Sequence, residues 1–478
     1  MESPVPSSEL PLVVDVDGTL LRTDLLGEGA LSALFSAPLS VLSWPWQLMR
    51  GKAALKQAIA TKSEIALDVV PLNDDVVEFL EREKARGRKL YVASASDRSW
   101  IEGLAARLGF FDGIFASDGK TNLAGKAKAD KLVEAFGHRG FDYIGNGRAD
   151  LPVWAVAHKA LLADVPERVA VQARRGNPDV EVVSERRAGS LSAVVRALRP
   201  HQWIKNLLVF LPLLAAQHFD LAGFAASLVA FVAMSFCASS GYVINDLADL
   251  TGDRRHPRKR ARPFASGALS PTWGMAMAVV PLLAGLLVAA ALSWQVAAMV
   301  AGYYVVSLTY SFVLKRKLML DVFALAFLYT FRIGVGAVAT ATVVSEWLLA
   351  FSMFFFLSLA IVKRCNELAR HADRSAERVS DRGYHAGDAD IVGALAVAAG
   401  FCSVLVLALY INTPTAAALY ERPQLLWGAC FLLAYWLGRV FILARRGHMP
   451  DDPILFAFRD KASIVAGLGV VAVALAAS

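Results

Sequence analysis

The stretch Asn245-Asp246-Leu247-Ala248-Asp249-Leu250-Thr251-Gly252-Asp253-Arg254-Arg255-His256-Pro257-Arg258-Lys259-Arg260-Ala261-Arg262-Pro263 decides how the larger part of the chain is read. Asn245, Asp246, Asp249 and Asp253 recur at three- and four-residue spacing, which places them on one face of a helix, within an arc of about 100°. Carboxylates gathered on one stripe repel unless a cation sits among them, and an all-oxygen set suits Mg²⁺ shared with substrate phosphates. A basic run follows at once: Arg254, Arg255, Arg258, Lys259, Arg260 and Arg262. Acid then base at the end of an apolar helix predicts a site for a metal-bound di- or polyphosphate.

Outward from this stretch, apolar runs occur at about 203–217, 221–243, 273–292, 295–314, 318–341, 346–362, 391–411, 425–443 and 462–477. A span needs about 20 apolar residues, so the sequence predicts nine transmembrane helices. With the N-terminus inside, the loops after every second segment hold the basic clusters: Arg254 to Arg262, Lys315 to Lys317, Lys363 to Arg382, and Arg445 to Lys461. The opposite loops carry essentially Arg422 alone. This asymmetry predicts a plasma (inner) membrane protein of bacterial type with its charged loops in the cytosol.

The chain has 478 residues, 56% of them hydrophobic, and a formal net charge of +7. The excess charge sits between apolar segments, where it fits topology and phosphate binding rather than nucleic acid. The N-terminus lacks the basic and apolar regions of a secretory signal, which predicts that the first domain stays in the cytosol. Cys237, Cys365, Cys402 and Cys430 are scattered and form neither a metal-ligand spacing nor a disulfide framework.

Residues 1–165 read as a soluble α/β domain. Leu10 to Val16 is an apolar run ending in D-V-D-G-T-L (Asp15 to Leu20). A strand that delivers two aspartates at its C-terminal end places them where open α/β sheets build sites. Lys89 to Ala93 reads as a strand delivering Ser94, with Ser96 as the N-cap of the next helix. Gly125-Lys126-Ala127-Lys128 opens a helix, Phe141 to Gly145 is a strand followed by Asn146 and Asp150, and Lys159 to Val165 is a last strand. Ala30 to Met49 is strongly apolar but interrupted by Pro38 and Pro45. It reads as part of a small helical cap, about residues 27–70, resting on the membrane surface. Residues 166–190, polar and Arg-rich, read as a linker to a membrane domain at 191–478.

The D-x-D-G-T motif and the motifs in order behind it resemble the haloacid dehalogenase (HAD) superfamily, over about 155 residues. The resemblance implies Rossmann-like topology with Asp15 as nucleophile, Asp17 as acid/base, Ser94 as the phosphate-binding residue and a lysine that neutralises the phosphoryl-enzyme, Lys128 in preference to Lys126. It also implies a magnesium site of Asp15, Asp17, Asn146 and Asp150. Asn146 departs from the family, which has an acid there; an amide oxygen ligates Mg²⁺ without adding charge. A HAD fold that has lost catalysis and serves as a scaffold is the alternative.

Several residues flanking the spans are candidates for phosphate contacts: Arg199, Lys205 and Asn206 before the first, Tyr310 and Lys315 in the second basic loop, and Lys363, Arg364 and Glu367 at the end of a membrane helix. Interfacial anchoring by Trp203 and Lys205 is the competing reading of the first group. Arg332 lies well inside an apolar helix, which predicts a polar cavity or an acidic partner. Asp373, Glu377 and Asp381 alternate with arginines and read as a solvated, salt-bridged helix.

Nine spans with N-D-x-x-D-x-x-x-D after the second resemble the UbiA superfamily of intramembrane prenyltransferases, over about residues 191–478. R-P-x-Q-W-x-K-N from Arg199, D-R-x-H-P-x-K-x-x-R-P from Asp253 and K-R-x-x-E-L from Lys363 resemble the decaprenyl-phosphate phosphoribosyltransferase branch. That branch transfers 5-phosphoribose from phosphoribosyl pyrophosphate (PRPP) to a polyprenyl phosphate. The resemblance implies Mg²⁺ held by Asn245, Asp246, Asp249 and Asp253, with Asp246 and Asp249 catalytic. It assigns Arg199, Lys205, Asn206, Arg262, Tyr310, Lys315, Lys363, Arg364 and Glu367 to substrate. Membrane lipids are the further expected partners; an oligomer is not readable. The alternatives are a prenyltransferase using an isoprenyl diphosphate and an aromatic acceptor, and a membrane-anchored HAD phosphatase.

Overall fold

The computed structural model describes residues 10–185, 191–217, 220–371, 383–450 and 452–478. They form two compact units: Met1–Leu198 with Tyr242–Ala278, and Arg199–Gly241 with Val279–Ser478.

The first unit is built on a parallel six-stranded sheet of order β3-β2-β1-β4-β5-β6. The strands are β1 (Leu12–Val14), β2 (Leu90–Asp97), β3 (Gly113–Ser117), β4 (Asp142–Gly145), β5 (Ala160–Ala163) and β6 (Val180–Ser184). The inner strands are short, continuous and apolar because helices cover both faces: β1, β4 and β5 are buried at every position. The chain winds outward from β1 to β3, returns, and winds the other way from β4 to β6. The switch point lies between β1 and β4, where such sheets open a crevice at their carboxyl ends. Asp15 follows β1 there, and Asn146 and Asp150 follow β4.

The residues read as a linker are ordered in part. Glu167–Gly176 is a helix that buries Val169, Ala170 and Ala173, and β6 adds an edge strand paired with β5. The spacing of those three small apolar residues holds the helix on the sheet despite its polar composition. Residues 186–190 lie outside the described residues.

The cap consists of helix Leu25–Ser36, a 3₁₀ stretch Pro38–Ser43 and helices Trp44–Met49 and Lys52–Ala60. Leu39, Leu42, Trp46, Leu48 and Met49 are exposed on it.

Below the sheet, away from the crevice, Arg88 ties three chain segments together. Its guanidinium donates to the Leu10 carbonyl at 2.6 Å and to Glu83 at 3.0 Å, and pairs with Asp142, itself held by His158 at 3.0 Å. Arg88 and Asp142 are buried.

The second unit is helical and carries most of the span lengths. Among the described residues, seven helices are long and apolar enough to cross a membrane. The cores are Leu221–Ala248, Pro271–Leu292, Trp294–Phe312, Leu320–Thr340, Glu346–His371, Ala389–Ile411 and Trp427–Arg445. Of the nine expected segments, the first and the last are not among these seven. The first run is a 3₁₀ stretch, Pro200–Phe210, followed by a five-residue helix, Leu211–Ala215. Pro200 and Pro212 each remove a helical N–H donor. The last, Lys461–Ala477, has 17 residues, about 26 Å of helix against a hydrocarbon core of about 30 Å. Helix Glu346–His371 supplies the largest share of this unit's core, with Phe356, Leu359, Ala360 and Val362 buried against Val322, Ala396, Leu437 and Val440. The 3₁₀ stretch approaches helix Leu320–Thr340 at Gly336, where an added Cβ would meet the Val209 carbonyl oxygen at 2.0 Å. Exposed Leu287, Phe323, Phe327, Leu405 and Phe431 give the spans an apolar exterior suited to hydrocarbon.

Arg88→Met leaves buried Asp142 with His158 in place of its guanidinium partner, a loss of about 3–5 kcal/mol. Thermal-shift measurements should show the first unit's unfolding transition at lower temperature while that of the helical unit stays in place.

Candidate functional sites

The crevice of the first unit gathers the sequence-picked residues of the α/β domain. Asp15, at the end of β1, accepts from Lys128 Nζ at 2.6 Å and from Thr19 Oγ1 at 3.2 Å. Lys128 also donates to the Tyr143 hydroxyl at 2.9 Å, which donates to Asp150 at 2.8 Å. The second Asp150 oxygen accepts from the backbone N–H groups of Asn146 and Gly147, each at 3.0 Å. Asp17 accepts from Leu25 N–H at 2.8 Å, Ser96 Oγ at 2.7 Å and Ser94 Oγ at 3.3 Å. Between the two lysines, burial decides: Lys128 is 3% exposed, whereas Lys126 faces solvent. Asn146 lies against Gly18, whose φ of +78° and missing Cβ leave room for the amide.

Ser96 is not the N-cap. Strand β2 runs on to Asp97, and Asp97 caps the helix Arg98–Leu108 by accepting from Ser99 N–H. Ser96 is thereby released toward Asp17. The sequence reading also missed Thr19, Tyr143 and two groups near the crevice, Asp24 and Lys56. Lys56, on cap helix Lys52–Ala60, donates to the Ala95 carbonyl at 2.6 Å and to Asn122 at 2.8 Å. Its spacing of four from Lys52 looks like a solvated face in sequence. Tyr143 was readable only from the alternation of β4.

Charge dominates this crevice. Burial pushes the Asp15 carboxyl up to about 7, against the pull of Lys128 and with a further push from Asp150 and Asp17. Burial, with the Asp17 charge, likewise raises Asp24 to about 6. Burial works against the Lys128 ammonium, but Asp15 and Asp150 outweigh it and hold the pKa above the ordinary lysine value. Burial lowers Lys56, against the attraction of Asp17 and Asp24. Four carboxylates near two ammonium groups leave an acidic excess.

The aspartate-rich stretch also belongs to the first unit. Helix Leu221–Ala248 ends just before Asp249, and a short helix, Leu250–Arg255, follows. The i→i−4 bonds nonetheless continue, from Asp249 N to Asn245 O and from Asp253 N to Asp249 O. Asp246 and Asp253 therefore face the same way, and one Arg262 nitrogen bridges them at 3.0 and 2.5 Å. Both are 2% exposed. Burial raises the Asp253 carboxyl, while Arg262 pulls it down. Arg262 thus lies on the acids; Arg255, Arg258, Lys259 and Arg260 are exposed.

In the second unit, Lys205 pairs with Asp452. Burial would raise Asp452, but Lys205 and Lys363 together hold it below the usual carboxylate range. Asp452 was missed, although its position before Pro453 is an N-cap signature, and it accepts from Ile454 and Leu455 N–H. Asn206 is buried and joined to Arg332 at 3.0 Å and to Ser235 at 3.0 Å. The partners of Arg332 are neutral rather than acidic: Asn206, the Leu328 carbonyl and the Tyr303 hydroxyl, with the Tyr303 and Tyr329 rings 4.8 and 5.2 Å away. Arg364 pairs with Asp321 at 2.6 Å and Glu367 at 2.5 Å, and Tyr384 donates to Asp321 at 2.8 Å. The remaining Arg364 nitrogen, Nη2, is buried and has no hydrogen-bond partner among the described residues. Arg199 precedes Pro200 with φ of 51°, Tyr310 lies in the last turn of its helix, and Lys315 is in the 3₁₀ turn Leu314–Arg316. Asp373, Glu377 and Asp381 lie outside the described residues.

Among the described residues no three His, Cys, Asp or Glu side chains converge as a ready metal cage. The donor chemistry still fits Mg²⁺, which is usually held by one or two carboxylates with substrate phosphates and water completing its shell. Asp246 and Asp253 already share one cationic group, and the α/β crevice has an acidic excess that a divalent ion would balance.

The chain belongs to the UbiA prenyltransferase family, whose model matches residues 207–461. Its residues 12–154 match the model for haloacid dehalogenase-like hydrolases. It is thus a UbiA-family membrane transferase with an N-terminal HAD-like domain, and both families in general depend on Mg²⁺. Uncharacterized protein y4nM of Sinorhizobium fredii is 35% identical over 459 residues, covering 95% of this chain and 88% of that protein. Nodulation protein NoeC of Azorhizobium caulinodans is 38% identical over 277 residues, covering 57% of this chain and 89% of that protein. Decaprenyl-phosphate phosphoribosyltransferase of Mycolicibacterium smegmatis is 40% identical over 200 residues, 40% of this chain and 61% of that protein.

Lys128→Met is expected to lower hydrolysis of a soluble phosphomonoester by at least about 100-fold, since it removes the one ammonium on Asp15. Lys126→Met should stay within about two-fold of wild type, because an exposed lysine acts weakly at a distance. Steady-state assays of the purified full chain with p-nitrophenyl phosphate would compare the two.

Proposed function

We propose that the chain transfers 5-phosphoribose from PRPP to a polyprenyl phosphate, releasing pyrophosphate, and that the HAD-like domain removes the 5-phosphate of the product. The observation that carries this reading is the pairing of Asp246 and Asp253 through one cationic group, beside the 40% identity to a protein named for that transfer. Asn245, Asp246, Asp249 and Asp253 would hold the magnesium ion of the pyrophosphate. The ion would neutralise charge on the leaving group as the C1–oxygen bond breaks.

The chain's own residues do the rest. Arg262 can move from the carboxylates to the pyrophosphate oxygens. Lys205, Lys363 and Arg364, with Arg199, Asn206, Tyr310, Lys315 and Glu367, would bind and orient phosphate groups. The unpartnered Nη2 of Arg364 supports this, because a buried donor without a partner is costly in a protein that never fills it. The lipid phosphate attacks C1, and no side-chain nucleophile is needed. In the α/β crevice Asp15 would attack the 5-phosphate, and Asp17, held by Ser94 and Ser96, would give a proton to the leaving hydroxyl. Asp17 would then activate the water that frees Asp15. Lys128 would balance the phosphoryl group, and Asn146 and Asp150 would contribute to the metal. The exposed apolar cap residues suit a lipid-linked substrate.

We place the hydrolase domain at residues 1–185 and the transferase domain at 191–478, and keep the nine-segment, cytosol-facing topology as part of the proposal. The product would be a lipid-linked pentose donor for cell-envelope glycans.

With labelled PRPP, Mg²⁺ and polyprenyl phosphate, membranes containing the protein should pass label into the lipid phase. Asp249→Asn should abolish it. Asp15→Asn should leave transfer intact while 5-phosphorylated lipid accumulates. Equal product profiles for Asp15→Asn and wild type would remove the phosphatase step. Consumption of an isoprenyl diphosphate with an aromatic acceptor, and none of PRPP, would instead establish prenyl transfer.

A further inference from the structure

The cap turns an apolar face outward. From Gly29 to Met49 no residue is charged. Within that run Leu39 is 80% exposed, Leu42 and Met49 79%, Trp46 62% and Leu48 52%. No residue of Pro38–Ser43 or Trp44–Met49 is buried. Single exposed apolar residues are ordinary, but a contiguous patch of large ones marks an interaction surface. The inner side of the cap is already filled. Leu25 and Ile59 are buried in the core of the α/β domain, with Trp44 and Leu55 packed against it.

The neighbours of the cap within the first unit indicate what covers the outer side. Helix Leu25–Ser36, which leads into the apolar run, is fastened to the chain between two spans. Arg254 donates to both oxygens of Glu28, at 2.8 and 2.5 Å, and a Cβ added at Gly27 would lie 2.5 Å from the Thr272 methyl group. Leu31 is buried in one cluster with Val243, Leu247 and Ala278, and Phe35 packs against that cluster. Val243 and Leu247 lie in the last turns of helix Leu221–Ala248, and Thr272 and Ala278 in the first turns of Pro271–Leu292. Both helices have the length and composition of membrane spans. Trp273, beside Thr272, is exposed, and tryptophan at the end of a span is suited to the headgroup level. The charge has the matching sign. Arg50, Lys52 and Lys62 are exposed, and no acid occurs from Gly29 to Ser63. Apolar and tryptophan side chains followed by bases compose a segment that lies in a leaflet with anionic headgroups.

We propose that Leu39, Leu42, Trp46, Leu48 and Met49 form a foot inserted into the membrane leaflet at the headgroup–acyl boundary. The α/β domain then grips the bilayer through its cap as well as through the span ends it packs on. An inserted foot differs from a cap resting on the surface, because its side chains leave water. The foot lies between two cap helices that reach the crevice: Leu25 N–H donates to Asp17, and Lys56 Nζ to the Ala95 carbonyl. Anchoring it keeps the crevice within reach of phosphomonoesters carried on lipid. That use rests on the reading of the crevice as a phosphatase for a lipid-linked product; the insertion itself does not.

Spin labelling of the full chain in nanodiscs of phosphatidylcholine and phosphatidylglycerol tests the foot. A Cys402→Ser background leaves only the buried Cys237, Cys365 and Cys430. A nitroxide is then placed at Leu39→Cys, Leu42→Cys or Met49→Cys in turn. Glu134→Cys, exposed on helix Lys126–Phe136, serves as the water reference, and Leu405→Cys, exposed on helix Ala389–Ile411, as the hydrocarbon reference. Power saturation compares collisions with dissolved oxygen, which concentrates in lipid, and with a water-soluble nickel chelate. Labels on the foot should follow Leu405→Cys, with oxygen collisions exceeding nickel collisions. Nickel collisions as frequent as at Glu134→Cys would overturn the proposal. So would rare collisions with both reagents, or dipolar broadening between labels on two copies, since either means that protein covers the face. If one substitution lowers the folded yield, the other two positions decide. Protection of the foot in a chain that hydrolyses no phosphomonoester would leave the insertion standing and remove only its use. Hydrolysis without protection would overturn the insertion alone.

Discussion

Carboxylates withdrawn from water must be matched by cations, and in this protein the matching recurs wherever chemistry is expected. Asp15 has Lys128, Asp246 and Asp253 share Arg262, Glu28 has Arg254, and Asp321 has Arg364. Such pairs add little net stability, since desolvation of both ions offsets much of their attraction. Their value lies in orientation. A bidentate guanidinium fixes the plane and position of its carboxylate, and a half-satisfied one keeps a donor to spare. Arg364 is of the second kind, with Nη2 lacking a partner. The Lys128 ammonium is instead a point charge held between Asp15 and the Tyr143 hydroxyl, with Asp150 at 3.7 Å.

The same constraint explains why the α/β crevice sits at the switch point of its sheet. The strand ends of β1, β2 and β4 bring acid, hydroxyl and acid within hydrogen-bond reach, and the backbone N–H groups of Asn146 and Gly147 turn toward Asp150. Asp15 and Asp17 are separated by Val16, which is fully buried. One aspartate meets Lys128, the other the hydroxyls of Ser94 and Ser96. Two chemically identical side chains thus acquire different environments, the usual way a site divides nucleophilic and proton-transfer work.

Much of this was legible in sequence where one physical signal dominated. The D-V-D-G-T alternation located the crevice, and the three- and four-residue spacing of Asp246, Asp249 and Asp253 survived the break in the helix. The failures have identifiable causes. Ser96 and Asp97 are both good N-caps, and only the length of β2 decides which one serves. The polar helix Glu167–Gly176 hides a narrow apolar stripe. The apolar run after Pro200 has the composition of a span but not its hydrogen bonding. Arg332 satisfies its charge on aromatic faces and neutral oxygens, a solution that hydropathy does not reveal. Lys56 and Glu28 were invisible because their partners are far away in sequence, 66 residues for Asn122 and 226 for Arg254.

That last separation bears on how two domains share one chain. A domain joined only by a flexible tether gains proximity and nothing else, with an effective concentration set by tether length. Here the joint is a buried bidentate pair within an apolar cluster, at the residue adjoining the aspartates. Losing either partner leaves an uncompensated buried charge, so the α/β fold and the aspartate-rich stretch constrain each other's sequence. Glu28 lies eleven residues from Asp17, at the start of the helix whose first N–H binds that carboxylate. The first turn of one helix thus touches both, through the Leu25 N–H on Asp17 and through Glu28 on Arg254.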